Sequence, residues 1–253
     1  MKRIKVIKIG GKVIENEDHL NSFLQHVAEL EGGVILVHGG GSIATDMGKK
    51  LGIATQMIDG RRITDTAMLD VITMVYGGLA NKKIAAKLQG LGRNAIGLSG
   101  ADLNLVQSIK RAPTPIDYGW VGDIDRVDTD WLLEFTGNNV IPVLAPLTHD
   151  GNGSLLNTNA DSVASFVAAA ISQYMETELL FCFEMDGVKN GKGFLKTLKP
   201  HSYNNLKSQK VITDGMIPKI DLGFSALEKG VHSVSIRSFK SVKSQNSGTK
   251  LVL

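Results

Sequence analysis

Two apolar segments of this chain end on runs of glycine, and one of them contains a lysine. Ile4–Ile9 includes Lys8 and is followed by Gly10-Gly11, while Val34–Val37 is followed by His38-Gly39-Gly40-Gly41. Glycines at the carboxyl end of a buried strand let backbone N–H groups approach an anion closely. A lysine in an apolar strand commonly extends to solvent, but beside free amides it can stabilise charge on a transferred phosphoryl group. The pattern predicts a site for phosphoryl groups.

Polar residues also precede a predicted helix in the middle of the chain. In the segment Asn157-Thr158-Asn159-Ala160-Asp161, Asn159 is a suitable N-cap and Asp161 suits the first helical turn. These structural roles account for Asn159 and Asp161. Asn157 is left over and is free to contact a ligand.

Basic side chains follow glycines at two further places. Arg61-Arg62 comes directly after Gly60, and an arginine near the His38–Gly41 loop can bind a carboxylate through two parallel hydrogen bonds. Later, Thr213-Asp214-Gly215-Met216-Ile217-Pro218-Lys219 leads into the last predicted helix. The start of that helix offers N–H groups to an anion, and Lys219 in the first turn can reach the same anion.

Two common nucleotide-binding patterns do not account for these glycines. The P-loop sequence G-x-x-x-x-G-K-[ST] does not occur. Residues 39–44 match the dinucleotide pattern G-x-G-x-x-[GA], but the acidic residue at the right separation, Asp59, does not end a clear apolar strand. A dehydrogenase is therefore not favoured.

Short apolar runs alternate with longer amphipathic stretches, the pattern of βαβ units around a mainly parallel sheet. Strands are predicted near residues 4–9, 34–38, 95–99, 140–144, 179–183 and 232–236. Helices are predicted over residues 17–30, 42–51, 65–90, 129–138, 159–174 and 219–229. Residues 109–128, rich in proline, glycine and aromatic side chains, predict short antiparallel strands or a long loop.

The composition is that of an ordinary globular protein, with 43% hydrophobic and 21% charged residues among 253. A net charge of +3 without a basic, aromatic-interleaved stripe gives no indication of nucleic-acid binding. No apolar stretch has the length of a membrane span. A single cysteine, Cys182, excludes an internal disulfide and indicates a cytoplasmic location.

In their order along nearly the whole chain, these segments resemble the amino acid kinase family, and within it the branch that acts on N-acetyl-L-glutamate. The resemblance is carried by Lys8-Ile9-Gly10-Gly11, His38-Gly39-Gly40-Gly41, Gly60-Arg61-Arg62-Ile63-Thr64-Asp65, Gly97-Leu98-Ser99-Gly100, Val121-Gly122-Asp123, Asn157-Thr158-Asn159-Ala160-Asp161 and the segment from Thr213 to Lys219.

The resemblance implies an α/β fold, a three-layer αβα sandwich with a mainly parallel central sheet. An N-terminal lobe of about residues 1–175 would bind the acylated amino acid, and a C-terminal lobe of about residues 176–253 would bind ATP with its Mg²⁺. The implied reaction is ATP-dependent phosphorylation of the γ-carboxylate of N-acetyl-L-glutamate, the second step of arginine biosynthesis. An ionised carboxylate needs no general base, so catalysis would consist of positioning and positive charge.

Residue roles follow from the resemblance by position. Lys8 and Lys219 would stabilise the transition state, and Asp161 would orient parts of the site. Glu184 aligns with the aspartate that organises the two lysines, with Asp186 as the alternative. The acylglutamate would be held by Gly40, Gly41, Arg62 and Asn157, and the ATP phosphates by Gly10, Gly11, Asp186, Gly187, Thr213, Asp214, Gly215 and Met216, with no residue assigned as a metal ligand.

Several alternatives stay open. Gly100-Ala101-Asp102-Leu103-Asn104 replaces the more usual Gly-Lys-Asp-Gly near the acyl group, which leaves N-succinyl-L-glutamate as a second substrate. Another kinase of this fold, acting on aspartate, glutamate, carbamate or a nucleoside monophosphate, is the alternative enzyme. A catalytically silent sensor of ATP or an amino acid is the alternative outside enzymes.

The resemblance also implies a homodimer. Arginine-inhibited members carry an extra N-terminal helix that links dimers into hexamers, and only three residues precede the first predicted strand here. We therefore expect a dimer that arginine does not inhibit. The apolar spacing of Met68, Ile72, Val75 and Leu79 predicts the long helix 65–90 as its interface.

Overall fold

The structure is a computed structural model that describes residues 3–58, 60–191, 193–212, 215–244 and 246–253. Its strands are β1 (Ile4–Ile9), β2 (Gly33–His38), β3 (Met57–Ile58), β4 (Arg61–Arg62), β5 (Ala95–Leu98), β6 (Val106–Lys110), β7 (Gly122–Val127), β8 (Ile141–Leu144), β9 (Leu147–His149), β10 (Leu155–Asn157), β11 (Thr177–Phe183), β12 (Thr197–Leu198), β13 (Ser233–Ser238) and β14 (Thr249–Leu251). Its α-helices are α1 (Gly11–Glu15), α2 (Glu17–Ala28), α3 (Gly41–Lys50), α4 (Thr66–Ile72), α5 (Asn81–Gly90), α6 (Asp130–Gly137), α7 (Ala160–Ile171), α8 (Pro200–Ser208) and α9 (Ile217–Glu228). A π-helix covers Thr73–Ala80, and short 3₁₀ helices cover Asp102–Asn104 and Phe239–Ser241.

Within the described residues, eight strands form the main sheet in the order β12-β14-β13-β11-β1-β2-β8-β5. The pairs from β13 to β5 are parallel, whereas β14 runs antiparallel to β13. The predicted, mainly parallel sheet is confirmed. Because β1 lies between β2 and β11, with Ile9 opposite both His38 and Cys182, the ends of the three strands meet at one edge.

Alternate residues of the central strands bury themselves on opposite faces of the sheet, as the pleat requires. One face, which includes Val6 and Phe181, packs against α7 and α9 through Val163 and Ile220. The other face, which includes Ile7, packs against α2 and α5. Helices on both faces confirm the three-layer αβα arrangement.

A second sheet, in the order β10-β9-β6-β7, lies beside the first. The antiparallel pair β6 and β7 confirms the short strands predicted within residues 109–128. β3 and β4 form a small hairpin in which Met57 pairs with Arg62. The sequence did not predict this hairpin, β9, β10, β12, β14 or α8, because the strands are only two or three residues long and α8 has no clear apolar periodicity.

The helical run from Thr66 to Gly90 is the predicted long helix, and the Asp65 side chain caps it by accepting from the Met68 N–H at 2.8 Å. Its middle, Thr73–Ala80, is π-helical. The stripe that was expected at a dimer interface instead faces the protein's own core, since Met68, Ile72 and Val75 are buried and only Leu79 is exposed. An amphipathic stripe covers whichever apolar surface is nearest, and here that surface belongs to the same chain.

No helix in the described part of the chain is long and apolar enough to cross a membrane.

Candidate active site

Two lysines from distant parts of the chain meet on one carboxylate. Lys8 Nζ lies 2.8 Å from Asp161 Oδ1, and Lys219 Nζ lies 2.9 Å from Asp161 Oδ2. Lys8 is near the carboxyl end of β1, Asp161 is in the first turn of α7, and Lys219 is in the first turn of α9. The sequence predicted all three as site residues, but not that Asp161 bridges the lysines.

The position of Asp161 follows from the cap of its helix. The Asn159 side chain, predicted as the N-cap, accepts hydrogen bonds from the N–H groups of Asp161 at 2.8 Å and Ser162 at 3.2 Å. This cap fixes the first turn of α7 and aims the Asp161 carboxylate at the end of β1.

Both members of the Lys8–Asp161 pair are buried, with 8% and 5% of their surfaces exposed. Burial on its own raises the pKa of Asp161, but the ammonium groups of Lys8 and Lys219 outweigh it and hold that pKa below its ordinary range. The site therefore contains two positive charges and one negative charge. An anion that enters between the lysines meets a net positive charge.

The two glycine loops lie side by side at this edge of the sheet. The Gly10 N–H donates to Cys182 O at 2.9 Å and so extends the sheet, whereas Gly11 begins α1 without a side-chain cap. The Gly40 N–H has no acceptor among the described residues, and its nitrogen would lie 3.8 Å from a Cβ at Gly11. In this structure Gly40, and not Gly10, offers a free amide.

Arg62 is buried beside the second loop and is already hydrogen-bonded to the protein. Its Nη2 donates to Gly41 O and to Thr45 Oγ1, both at 2.8 Å. Its Nη1 donates to Thr55 Oγ1 at 3.0 Å and lies 3.8 Å from Met68 Sδ. Both Nη atoms are therefore already hydrogen-bonded within the protein, so a carboxylate must displace one of these contacts to bind with two hydrogen bonds.

Asn157, the second predicted acylglutamate ligand, lies on the same side of the molecule. It is half-buried at the end of β10, and its Nδ2 donates to Thr64 Oγ1 at 3.0 Å. Thr64 follows Arg62 by two residues, so this hydrogen bond holds the Asn157 side chain near the segment that contains Arg62.

Comparisons with known proteins show the family to which the chain belongs. The model of the amino acid kinase family matches residues 3–238. The chain belongs to the amino acid kinase family. An acetylglutamate kinase from Cytophaga hutchinsonii is 48% identical over 262 residues, which cover 100% of this chain and 99% of the relative. An acetylglutamate kinase from Phocaeicola vulgatus is 44% identical over 251 residues, 98% of this chain and 97% of the relative. The solved structure of smu.665 from Streptococcus mutans has a TM-score of 0.81 at 26% identity and covers 99% of this chain and 98% of its own.

Two of the predicted nucleotide-binding residues, Glu184 and Asp186, lie apart from the contacts that join Asp161 to the lysines. Glu184 and Asp186 follow the end of β11, are exposed, and form no hydrogen bond or ion pair with the described residues. Neither contacts Lys8 or Lys219, so the organising role predicted for Glu184 stays a prediction, while Asp161 has that geometry. Gly187 is buried, and a Cβ there would lie 2.6 Å from Thr249 Oγ1.

The described part of the loop before α9 contacts one of the two lysines. The Gly215 carbonyl accepts from Lys219 Nζ at 3.3 Å, and Met216 is the residue before α9. Thr213 and Asp214 lie outside the described residues. Among the residues that are described, no group of three or more His, Cys, Asp or Glu side chains could hold a metal ion.

Tyr76, which the sequence analysis missed, lies against the glycine loop. A Cβ at Gly40 would come within 3.0 Å of two ring carbons of Tyr76, so only glycine fits there. Burial raises the pKa of Tyr76, and the nearby Arg62 guanidinium opposes that rise. Two glycines directly after Tyr76, inside a predicted helix, were the signal that this turn is irregular.

Proposed function

We propose that this chain transfers the γ-phosphoryl group of ATP to the γ-carboxylate of N-acetyl-L-glutamate and so forms an acyl phosphate, the second step of arginine biosynthesis. The observation that carries this proposal is the pair of lysines held on Asp161 beside the glycine loops. Relatives named acetylglutamate kinase support it, because they match the chain over nearly its whole length.

The chemistry needs positive charge more than it needs a base. The acceptor is already ionised at neutral pH, and the main obstacle is bringing one anion onto another. Lys8 and Lys219 each keep N–H donors beyond those used on Asp161. Their charges stabilise the equatorial oxygens of the phosphoryl group as it passes between donor and acceptor, and Asp161 keeps the two ammonium groups in place between turnovers.

The acceptor binds on the side of Arg62. Arg62 exchanges one internal contact for the α-carboxylate of the substrate, with Asn157 next to it, and the amides of Gly40 and Gly41 hold the γ-carboxylate. The chain before about residue 175 forms this half of the site, and the chain after it forms the nucleotide half.

The nucleotide binds at the ends of β11 and α9. The segments at 184–187 and 213–216 surround its phosphates, and Mg²⁺ arrives with it, because this ion prefers phosphate oxygens and water with one or two carboxylates. Glu184 and Asp186 are the exposed carboxylates at that strand end.

A homodimer is also part of the proposal. Because the stripe of Met68, Ile72 and Val75 is buried, the interface would use the outer face of the same helical run, where Met74 and Leu79 are 53% and 51% exposed. The cytoplasm suits the single free cysteine.

The test is to incubate the protein with ATP, Mg²⁺ and hydroxylamine and to measure the hydroxamate formed from each acceptor. N-acetyl-L-glutamate is expected to give product that depends on both ATP and Lys8, with Lys8→Ala as the matched control. Product only with N-succinyl-L-glutamate would show that the enzyme is specific for the succinyl substrate. Product only with aspartate, glutamate or carbamate would indicate another kinase of this fold. No product with any acceptor would favour a sensor of ATP or an amino acid.

A further inference from the structure

A buried polar pair, His38 and Asn81, lies behind the second glycine loop. His38 is the last residue of β2, Asn81 begins α5 directly after the π-helical turns, and both are 0% exposed. The Asn81 Nδ2 lies 2.8 Å from Val143 O, 3.3 Å from Leu98 O and 3.2 Å from His38 Nε2. Asn81 therefore joins the carboxyl ends of β2, β5 and β8.

The neighbours of the pair determine which atoms carry protons. Val143 O and Leu98 O can only accept, so the amide nitrogen of Asn81 faces them and donates. This nitrogen has two hydrogens and three acceptors in reach, so His38 Nε2, at 3.2 Å, shares a hydrogen with Leu98 O and is the unprotonated acceptor. On the other side of the ring, Nδ1 lies 2.7 Å from Gly39 O, which also only accepts, so Nδ1 carries the hydrogen.

The orientation of the Asn81 amide leaves one of its polar atoms without a hydrogen bond. Its Oδ1 is buried and has no hydrogen-bond donor among the described residues, and such orphaned atoms are rare in folded proteins. A Cβ at Gly97 would lie only 2.0 Å from that Oδ1, so the packing around it is tight. The bonds made by Nδ2 outweigh the unsatisfied oxygen, which indicates that the donor side of the amide is the one that matters.

The histidine proton in turn fixes a peptide group of the site. The C=O and N–H of a trans peptide point in opposite directions, so a Gly39 carbonyl held against the ring turns the Gly40 N–H away from it. That N–H has no acceptor among the described residues. Since neither glycine has a side chain to restrict rotation of this peptide, its orientation has to come from a contact such as this one.

We propose that Asn81 and His38 are positioning residues that set the orientation of the Gly39–Gly40 peptide, so that the Gly40 N–H faces the reacting groups before substrates bind. Asn81 selects the tautomer of His38, because the hydrogen bond at one ring nitrogen decides which nitrogen keeps the proton. In this tautomer the His38 Nδ1–H donates to Gly39 O, and this hydrogen bond sets the direction of the Gly40 N–H. This inference rests on the proposed function, in which Gly40 is a donor to the reacting groups.

Two substitutions of His38 separate this role from packing. In His38→Asn the side-chain amide lies where Nδ1 was and can donate to Gly39 O, whereas in His38→Gln it lies where Nε2 was and reaches Asn81 instead. We expect His38→Asn to keep kcat within about tenfold of the parent and His38→Gln to lose on the order of 10² in kcat, with little change in KM. A ring that only fills space predicts the opposite ranking, because glutamine is larger and keeps the contact with Asn81. That ranking, or equal losses in both variants, would overturn the proposal.

A second measurement needs no activity. The imidazole nitrogens of ¹⁵N-labelled protein at pH 7 are expected to show His38 protonated at Nδ1 and bare at Nε2. In Asn81→Leu, which keeps the size and removes the donor, the Nε2–H form is expected to appear, with a loss of kcat similar to that of His38→Gln. An Nε2–H tautomer or an imidazolium in the parent protein would refute the proposal that Asn81 and His38 orient the Gly39–Gly40 peptide. Absence of hydroxamate from every acceptor would instead refute the proposed function and leave the tautomer assignment standing.

Discussion

The two sides of the candidate site differ in whether their polar side chains already form hydrogen bonds within the protein. On the proposed acceptor side, Arg62 and Asn157 are bonded to protein atoms before any ligand is present. On the proposed nucleotide side, Glu184 and Asp186 are exposed and form no hydrogen bond or ion pair with the described residues. A ligand on the first side has to displace internal contacts, which favours selectivity, because a molecule that cannot replace them leaves buried groups unpaired. A ligand on the second side competes only with water.

In the proposed site, Lys8, Asp161 and Lys219 lie between these two sides, and removal of either lysine is expected to have the largest effect. Lys8→Ala and Lys219→Ala should each lower kcat by on the order of 10²–10³ and change KM for either substrate much less, because both act on charge that develops in the transition state. Steady-state kinetics with each substrate varied in turn measures this. Near-normal turnover in either variant would mean that its lysine is structural, and the site would then not be organised around this triad.

The interior of the acceptor side predicts a specific dependence of stability on pH. Burial lowers the pKa of His38 to about 4, and its bond to Gly39 O only partly opposes this. The unfolded chain takes up a proton near pH 6.5 and the folded chain does not, so this residue makes the free energy of unfolding fall as the pH drops from about 6.5 to 4, by about 3 kcal/mol. Urea unfolding at a series of pH values should show that loss in the parent and not in His38→Asn. The same slope in both proteins would place the titration elsewhere.

Substitution of Arg62 tests whether the acceptor side selects its ligand through the planar geometry of the guanidinium group. Arg62→Lys should raise KM for N-acetyl-L-glutamate by about tenfold or more and leave KM for ATP unchanged, since a single ammonium cannot replace a fork that serves Gly41, Thr45 and the substrate. Arg61→Lys is the matched control, because Arg61 is the exposed neighbour in the same hairpin. Impairment of the control with a normal Arg62→Lys enzyme would exchange the roles of the two arginines.

The smallest effect is expected on the nucleotide side. Glu184→Gln removes an exposed carboxylate that forms no ion pair with the described residues, so it should change KM for ATP by less than about fivefold and leave the free energy of unfolding unaltered. If it lowers kcat as much as the lysine substitutions do, then Glu184 organises the lysines once ATP is bound.

The same contrast separates what the sequence could predict from what it could not. Lys8, the glycine loops, the N-caps Asp65 and Asn159 and the central strands were predictable, because each follows from a local pattern. The bridge from Asp161 to both lysines, the partners of Arg62 and the contact of Asn81 with His38 join residues far apart in the chain. No local pattern encodes such pairings, and the π-helical turns that bring Tyr76 and Asn81 to the glycine loop were visible only as two glycines inside a helix.

Backbone hydrogen exchange, compared for the free protein, the protein with N-acetyl-L-glutamate and the protein with a non-hydrolysable ATP analogue and Mg²⁺, tests the difference between the two sides most directly. N-acetyl-L-glutamate is expected to leave exchange over residues 42–58 and 60–66 nearly unchanged, because it replaces side-chain contacts in backbone that is already ordered. The ATP analogue is expected to slow exchange over residues 184–191 and 215–219. Strong new protection over 42–58 and 60–66 with the acceptor alone, and none at 184–191 with the nucleotide, would contradict the proposed difference between the two sides.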